Sequence, residues 1–407
     1  MNYELNVLVI NCGSSSLKFR IIHMPSETEL ISGEAVRVGI KTNLPSSINY
    51  SIKGKNKTMQ VPMPDHSAAF QEVTKLLKHV EKIGFDCIAH RYVHPGNYFH
   101  KTIKVDGHII EKLKNTLCLA PIHNTVSLRL IETCARECPG INQYAVFDTV
   151  FHKTIPDEAA SYALPANLVN KYHFRKTGFH GISHRYIMEE TFKHFAGARD
   201  SLKIISCHLG SGGSSLCAIE NGKSINNSMG FSPLEGLMMN TRSGDIDIGI
   251  LLSIMSLNNI SAGEVENMLN FKSGILGVFT ESSDMRDIVK RYRDDAKARM
   301  VFEMYVRRVR KYIGYYNLLL KNTDVLVFTD TLGIEVPLIR KKACEGLECF
   351  GIMLDSKKNV QPQRGLADLS DSKSKVKILA IPTNEEIMIA RETYKEFPND
   401  THYKPAN

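Results

Sequence analysis

A chain of 407 residues is longer than one hydrophobic core normally serves, so two domains are expected. Its 43% hydrophobic and 23% charged content and net charge of +8 describe a globular protein suited to small anions, and its Lys and Arg residues lack the dense, aromatic-interleaved run that argues for nucleic acid. No apolar run approaches the ~20 residues of a membrane span, no basic-then-apolar leader opens the chain, and nine scattered cysteines without a CxxC pair favour reduced thiols. A cytoplasmic protein with neither membrane nor nucleic-acid partners is therefore expected.

The first element is the stretch Val7-Leu8-Val9-Ile10-Asn11-Cys12-Gly13-Ser14-Ser15-Ser16-Leu17-Lys18-Phe19. An apolar run stops at a small polar tip and a second apolar alternation follows, which predicts a β-hairpin. The tip offers an amide, hydroxyls and backbone N–H groups, with Lys18 just beyond; that chemistry suits phosphate, and an ordinary Ser/Gly turn has the same composition. Short strands are expected over residues 30–62. A helix is predicted over 66–83, with Phe70, Val73, Leu76, Leu77, Val80 and Ile83 on one face.

Next, Phe85-Asp86-Cys87-Ile88-Ala89-His90-Arg91-Tyr92-Val93-His94-Pro95-Gly96 reads as a strand running into a loop. His90 and His94 have a spacing that ligates metal only on a helix, so a metal pair is discounted. Arg91, at a strand end, is placed for an anionic ligand or for a surface ion pair. Ala120-Pro121-Ile122-His123-Asn124 precedes a helix predicted at about 124–138. The strand of residues 143–147 ends in Asp148, a candidate for positioning Mg²⁺ or substrate, or a simple turn cap. A domain boundary is placed near residue 150. Thr177-Gly178-Phe179-His180-Gly181-Ile182-Ser183-His184 then opens a helix to about 195.

The second half restarts the pattern. Residues 202–208 form a strand, Gly210-Ser211-Gly212-Gly213-Ser214-Ser215 a tip, and a strand follows. The repeat of hairpin and tip suggests an internal duplication, with two tips gripping a polyphosphate. Neither tip is a Walker loop, and the second feeds a strand rather than the helix a dinucleotide fingerprint requires. Arg242 lies in a polar loop with Asp245 and Asp247 and offers a second cation for a transferring phosphoryl group. Residues 283–321 read as helical, with Arg307, Arg308, Arg310 and Lys311 as a solvated face or an interface. Residues 325–329 form a strand entering a turn, 355–375 read as polar and mobile, and a last helix is expected at about 385–396.

These residues resemble a known family. Val-Ile-Asn-x-Gly-Ser-Ser-Ser-x-Lys (9–18), His-Arg-x-Val-His (90–94), Ala-Pro-x-His-Asn (120–124), Phe-Asp-Thr-x-Phe-His (147–152), Gly-Phe-His-Gly-x-Ser-His (178–184), Thr-Arg-Ser-Gly-Asp-x-Asp (241–247), Ser-Ser-Asp-Met-Arg-Asp (282–287) and Pro-Thr-Asn-Glu-Glu (382–386) stand in the order seen in acetate kinases. The resemblance implies an α/β, duplicated actin-like/ribonuclease H-like two-domain fold with an active-site cleft between the domains. The domains would be 1–150, with the helix at about 384–397 packing back on it, and 151–383, carrying the nucleotide site and the interface of a homodimer. It implies Mg²⁺-dependent phosphoryl transfer (Mn²⁺ as a substitute) between ATP and acetate, giving ADP and acetyl phosphate.

By the same resemblance, Asn11 and Glu385 orient the metal, and Asp148 positions metal or substrate. Arg91 and Arg242 bind the carboxylate and the moving phosphoryl, His180 and Arg242 stabilise the transition state, and His123 lies nearby. Val93, Ile122, Phe179 and Pro233 line the acyl pocket. Ser14, Ser16, Lys18, His208, Gly210, Ser211, Gly212, Asp284, Arg286, Thr331 and Gly333 serve the nucleotide. The adenosine side departs from the family pattern: Ser211 stands where Asn is usual, and Asp330-Thr331 where Gly-Gly is usual. Asp330 brings negative charge towards anionic phosphates. Three readings remain open: ATP as donor, pyrophosphate/phosphate in its place, or a non-catalytic binding protein.

Overall fold

The computed structural model describes residues 3–13, 15–40, 45–196 and 201–397, apart from the side chains of Val80 and Ile122. Its contacts divide the chain into two units, Met1–Val150 with Asn384–Asn407, and Phe151–Thr383.

In the first unit, Val7, Leu8, Val9 and Ile10 are all buried, as a strand covered on both faces requires. They form the middle of β1 (Leu5–Cys12). The other strands are β2 (Ser16–Met24), β3 (Thr28–Val36), β4 (Ser47–Ile52), β5 (Lys55–Gln60), β6 (Cys87–Tyr92), β7 (Ile103–Val105) and β8 (Asn142–Phe147). The sheet order is β5-β4-β3-β2-β1-β6-β8-β7. β1, β6 and β8 run parallel; the hairpin strands beside them are antiparallel. One face is covered by Phe70 and Val73 of the helix His66–Lys75 and by Leu130 and Cys134 of the helix Pro121–Glu137. The helix Glu385–Glu396 packs on β1, β2, β6 and β8.

The second unit contains β9 (Lys203–Leu209), β10 (Ser214–Glu220), β11 (Lys223–Asn227), β12 (Val325–Thr329), β13 (Ala367–Asp368) and β14 (Lys377–Ala380), in the order β11-β10-β9-β12-β14-β13. β9, β12 and β14 are parallel and the β9–β10–β11 meander is antiparallel. Phe302, Tyr305, Val309, Ile313 and Tyr316 of the long helix Ala296–Leu319 fill one face, and Ile187 and Met188 of the helix Gly181–His194 the other. The series β3-β2-β1-β6-β8 and β11-β10-β9-β12-β14 have the same order and directions, so the fold is a duplicated α/β one of the ribonuclease H-like type that the repeated hairpins implied.

Five local expectations change. The helix from His66 ends at Lys75 and continues as a π-helical segment, Leu76–Glu81, closed by Lys82 in the left-handed region. The helix expected at about 124–138 starts at Pro121, whose missing N–H costs nothing in a first turn, so Ile122 and His123 are helical. The run 283–321 is broken into Met285–Arg291 and Ala296–Leu319, because Asp295 caps the second helix through the N–H groups of Lys297 and Ala298. The turn after β12 is a short helix, Asp330–Glu335. Within 355–375, expected to be mobile, lie the helical turn Ser356–Asn359 and β13.

Candidate active site

Parallel pairing aligns three strand ends in the first unit. Ile10 lies opposite His90, and Tyr92 opposite Phe147. Asn11, Arg91 and Asp148 therefore emerge together at the carboxyl ends of β1, β6 and β8, where α/β sheets bind ligands. Arg91 Nη2 donates to Asp148 Oδ2 at 2.9 Å and Nη1 to Asn11 Oδ1 at 3.4 Å; Glu385 Oε2 lies 3.6 Å from Nε. Glu385 opens its helix, where a carboxylate is favoured by the helix dipole, and Asn384 caps that helix through Ile387 N. Burial works against the Arg91 charge, but Asp148 and then Glu385 more than offset it and hold the guanidinium firmly protonated. Its Nε is buried and makes no hydrogen bond, with the Glu385 carboxylate 3.6 Å away.

The first tip lies on the same sheet. Gly13 N donates to Ser16 O, and Lys18, opposite Asn11 on β2, is exposed. Ser14 lies outside the described residues, as does the side chain of Ile122. Val93 is buried and His123 is half-buried with its N–H on Ala120 O. His90 is a core residue bonded to Gln143, which agrees with discounting a metal pair.

The second unit assembles His180, His208, Arg242 and the tip Gly210–Gly213. His180 has φ +57° and Gly178 has φ +66°. A Cβ at Gly178 would collide with His152 and Asn227, which both hold Phe179 O by hydrogen bonds. This fixed turn delivers His180 in a conformation that costs a non-glycine residue energy. His180 Nδ1 shares the Ser215 hydroxyl with His184 Nε2, both at 2.9 Å, and burial lowers the His184 pKa well below its ordinary value, so His184 is neutral. The rings of His180 and His208 lie 4.2 Å apart.

Arg242 completes the group. A Cβ at Gly213 would lie 3.3 Å from His180 Nε2 and 3.6 Å from Arg242 Nη1, so both side chains face the tip. Among the described residues Arg242 has no carboxylate partner; Nη1 contacts Met239 Sδ at 3.8 Å, and burial lowers its pKa. A half-buried cation beside a glycine-rich tip has the chemistry to receive an anion. Its loop is held from behind. Arg308 Nη1 donates to Ser243 O at 2.5 Å, and Lys311 pairs with Asp245 at 2.7 Å. Gly274, at φ +62°, lets backbone pass against Met239 and Arg242. Arg308 and Lys311, expected as a solvated face or an interface, thus buttress the Arg242 loop. Nothing local in sequence pairs residues so far apart.

The remaining candidates are also in this unit. Phe179 is buried and Pro233 half-buried. Asp284 and Arg286 form a bidentate pair, with Glu335 3.4 Å from the arginine. Beside them is a cavity of about 430 Å³ lined by Arg286, Val289, Val336, Pro337, Leu338 and Val360. The loop that carries Gly333 is tied down by the buried Arg340, which donates to Gly333 O and Ile334 O at 2.7 Å and to Asn359. Thr331 Oγ1 accepts from Ser211 N at 3.0 Å, joining this loop to the tip.

The duplicated fold, with polar and charged groups gathered at strand ends in each unit, is that of an α/β phosphotransferase class of protein. A family model described as the acetokinase family matches residues 6–391, and the chain belongs to that family. It is 42% identical over 402 residues to the acetate kinase of Dictyoglomus thermophilum, covering 96% of this chain and 99% of that protein. It is 43% identical over 399 residues to the acetate kinase of Treponema denticola, covering 96% and 99%. Among solved structures it is similar to the acetate kinase of Porphyromonas gingivalis, with a TM-score of 0.89, 36% identity and coverage of 97% and 100%. It is also similar to a propionate kinase from Francisella tularensis, with a TM-score of 0.87, 36% identity and coverage of 95% and 98%.

Among the described residues no group of three or more His, Cys, Asp or Glu side chains is gathered for a metal ion. Mg²⁺ binds through one or two carboxylates plus substrate phosphates rather than an all-protein cage. The hard oxygens of Asn11, Asp148 and Glu385, all grouped on Arg91, are the right donor chemistry. No helix among the described residues is long and apolar enough to cross a membrane.

Proposed function

We propose that the chain catalyses reversible, direct in-line transfer of the γ-phosphoryl group of ATP to acetate, giving acetyl phosphate and ADP. The observation that carries this reading is Arg242, a half-buried cation with no carboxylate partner among the described residues, facing the Gly210–Gly213 tip beside His180. Acetate is already ionised, so no general base is required. The reaction asks for alignment and for neutralisation of the equatorial oxygens. Arg242 and His180 Nε2 supply donors to those oxygens, with the His180 ring oriented by Ser215. Arg91 holds the acetate carboxylate and then the transferring group.

Asn11, Asp148 and Glu385 are the residues that would hold Mg²⁺, which would supply positive charge to the transferring phosphoryl group. Val93, Ile122, Phe179 and Pro233 serve the acyl methyl group, with Val93 favouring acetate over longer acids. One methylene in such a pocket is worth only ~1–3 kcal/mol, so propionate turns over more slowly rather than not at all. The nucleotide phosphates are assigned to Ser14, Ser16, Lys18, His208, Gly210, Ser211 and Gly212, and adenosine to Asp284, Arg286 and Gly333.

The apolar cavity beside Arg286 supports ATP as donor over pyrophosphate, which has no use for a ring-sized apolar pocket. We further assign a cytoplasmic homodimer. The helix Ile248–Asn258 supports this: it has no buried residue although it is apolar on all sides. The test is trapping of acyl phosphate with hydroxylamine from acetate and Mg-ATP, with Mg-pyrophosphate in parallel. Hydroxamate from ATP is expected. Hydroxamate from pyrophosphate alone, or from neither donor, contradicts the proposal.

A further inference from the structure

The Gly210–Gly213 tip already has acceptors on its donors. His208 and Thr329 are register partners on β9 and β12, so the residue after Thr329 lands beside the start of the tip. That residue is Asp330, held at φ +61°. Its Oδ2 lies 3.1 Å from His208 Nε2. A Cβ at Gly210 would run into the same carboxylate, so Asp330 lies directly over the tip backbone. Asp330 Oδ1 accepts from Thr331 N at 2.7 Å, and Thr331 Oγ1 accepts from Ser211 N at 3.0 Å. The carboxylate and hydroxyl thus engage a ring nitrogen and a backbone N–H of the tip, the two kinds of group that bind an anion there. His208 is turned towards Asp330 by its other nitrogen, which is bonded to Ser183 Oγ at 2.8 Å.

From this geometry we infer that Asp330 and Thr331 form an internal latch that competes with the nucleotide phosphates for His208 and Ser211. The inference rests on the proposed use of this tip for phosphate. A phosphate reaches His208 only by displacing a carboxylate of its own charge sign, and Ser211 N only by displacing a neutral hydroxyl acceptor, so the latch weakens nucleotide binding. A backbone without side chains at 330 and 331 would offer no such competitor. The latch is therefore a specificity-determining device on the donor side. Its described hydrogen bonds engage the tip and His208 rather than Arg242, so the acyl side should sense it less than the nucleotide side does.

The test is calorimetric titration of Asp330→Asn and Thr331→Val with ADP, with and without Mg²⁺, alongside KM for ADP and for acetyl phosphate. Asn keeps the shape and removes the charge; Val keeps the branching and removes the acceptor. Asp330→Asn is expected to tighten ADP binding about tenfold in both titrations, a modest share of what a unit charge in contact range exerts. Thr331→Val is expected to tighten it by a smaller factor. KM for ADP should fall in parallel while KM for acetyl phosphate moves less than twofold. Unchanged or weaker ADP binding by correctly melting Asp330→Asn overturns the latch. Weakening confined to the Mg²⁺ titration overturns it in favour of Asp330 as a metal ligand. Failure of wild-type protein to bind ADP at all would instead overturn the proposed function.

Discussion

His90 neighbours Arg91 in sequence but belongs to the core. Its ring is fully buried, with Nε2 2.8 Å from Gln143 Oε1, and burial lowers its pKa from the ordinary 6.5 to about 4 despite that bond. A depressed histidine is neutral when folded and takes up its proton more readily when unfolded. Its stabilising contribution is therefore complete above pH 6.5 and is lost as pH falls towards 4. Between pH 7 and pH 5 this amounts to about 2 kcal/mol. Urea unfolding of His90→Gln should show a pH dependence shallower by about that amount; an unchanged slope refutes the assignment. At this scale much of the site was legible, because polar residues such as Asn11, Arg91 and Asp148 interrupt apolar runs at strand ends. Arg308 and Lys311 were not legible in their roles, and of Asp330 only its negative charge near the phosphates was. Their partners Ser243, Asp245 and His208 are distant in sequence and meet them only through sheet and helix packing.

Elements were legible where one period ran unbroken, and less so where caps or backbone geometry intervene. Apolar spacing through Leu76 and Leu77 suited a single helix, yet the backbone widens to a π turn there with both residues still buried. The break at 292–295 was signalled by Asp295, a capping residue hidden within a charged run. The helix Ile248–Asn258 poses a different problem. Its composition says that it should be covered, and composition alone cannot say by what. Leu252 and Leu257 are 63% and 83% exposed. If a second copy covers them, Leu252→Glu with Leu257→Glu should turn a dimer into a monomer in sedimentation velocity, with the melting of the single chain retained. A wild-type chain that sediments as a monomer contradicts the homodimer.

For the whole molecule, the repeated hairpin was the decisive sequence signal, since two copies of one strand–tip–strand plan specify two sheets of one topology. The plan places Arg91 at a strand end of one unit and Arg242 beside the tip of the other. Direct transfer to acetate requires both to serve a single phosphoryl group. The most direct measurement of that claim is ATP formation from saturating acetyl phosphate and Mg-ADP by the wild type, Arg91→Ala and Arg242→Ala. The predicted result is turnover by the wild type and a loss of ~10²–10³ in kcat for each variant, the cost of one preorganised transition-state contact. Near-wild-type kcat in either variant would contradict it.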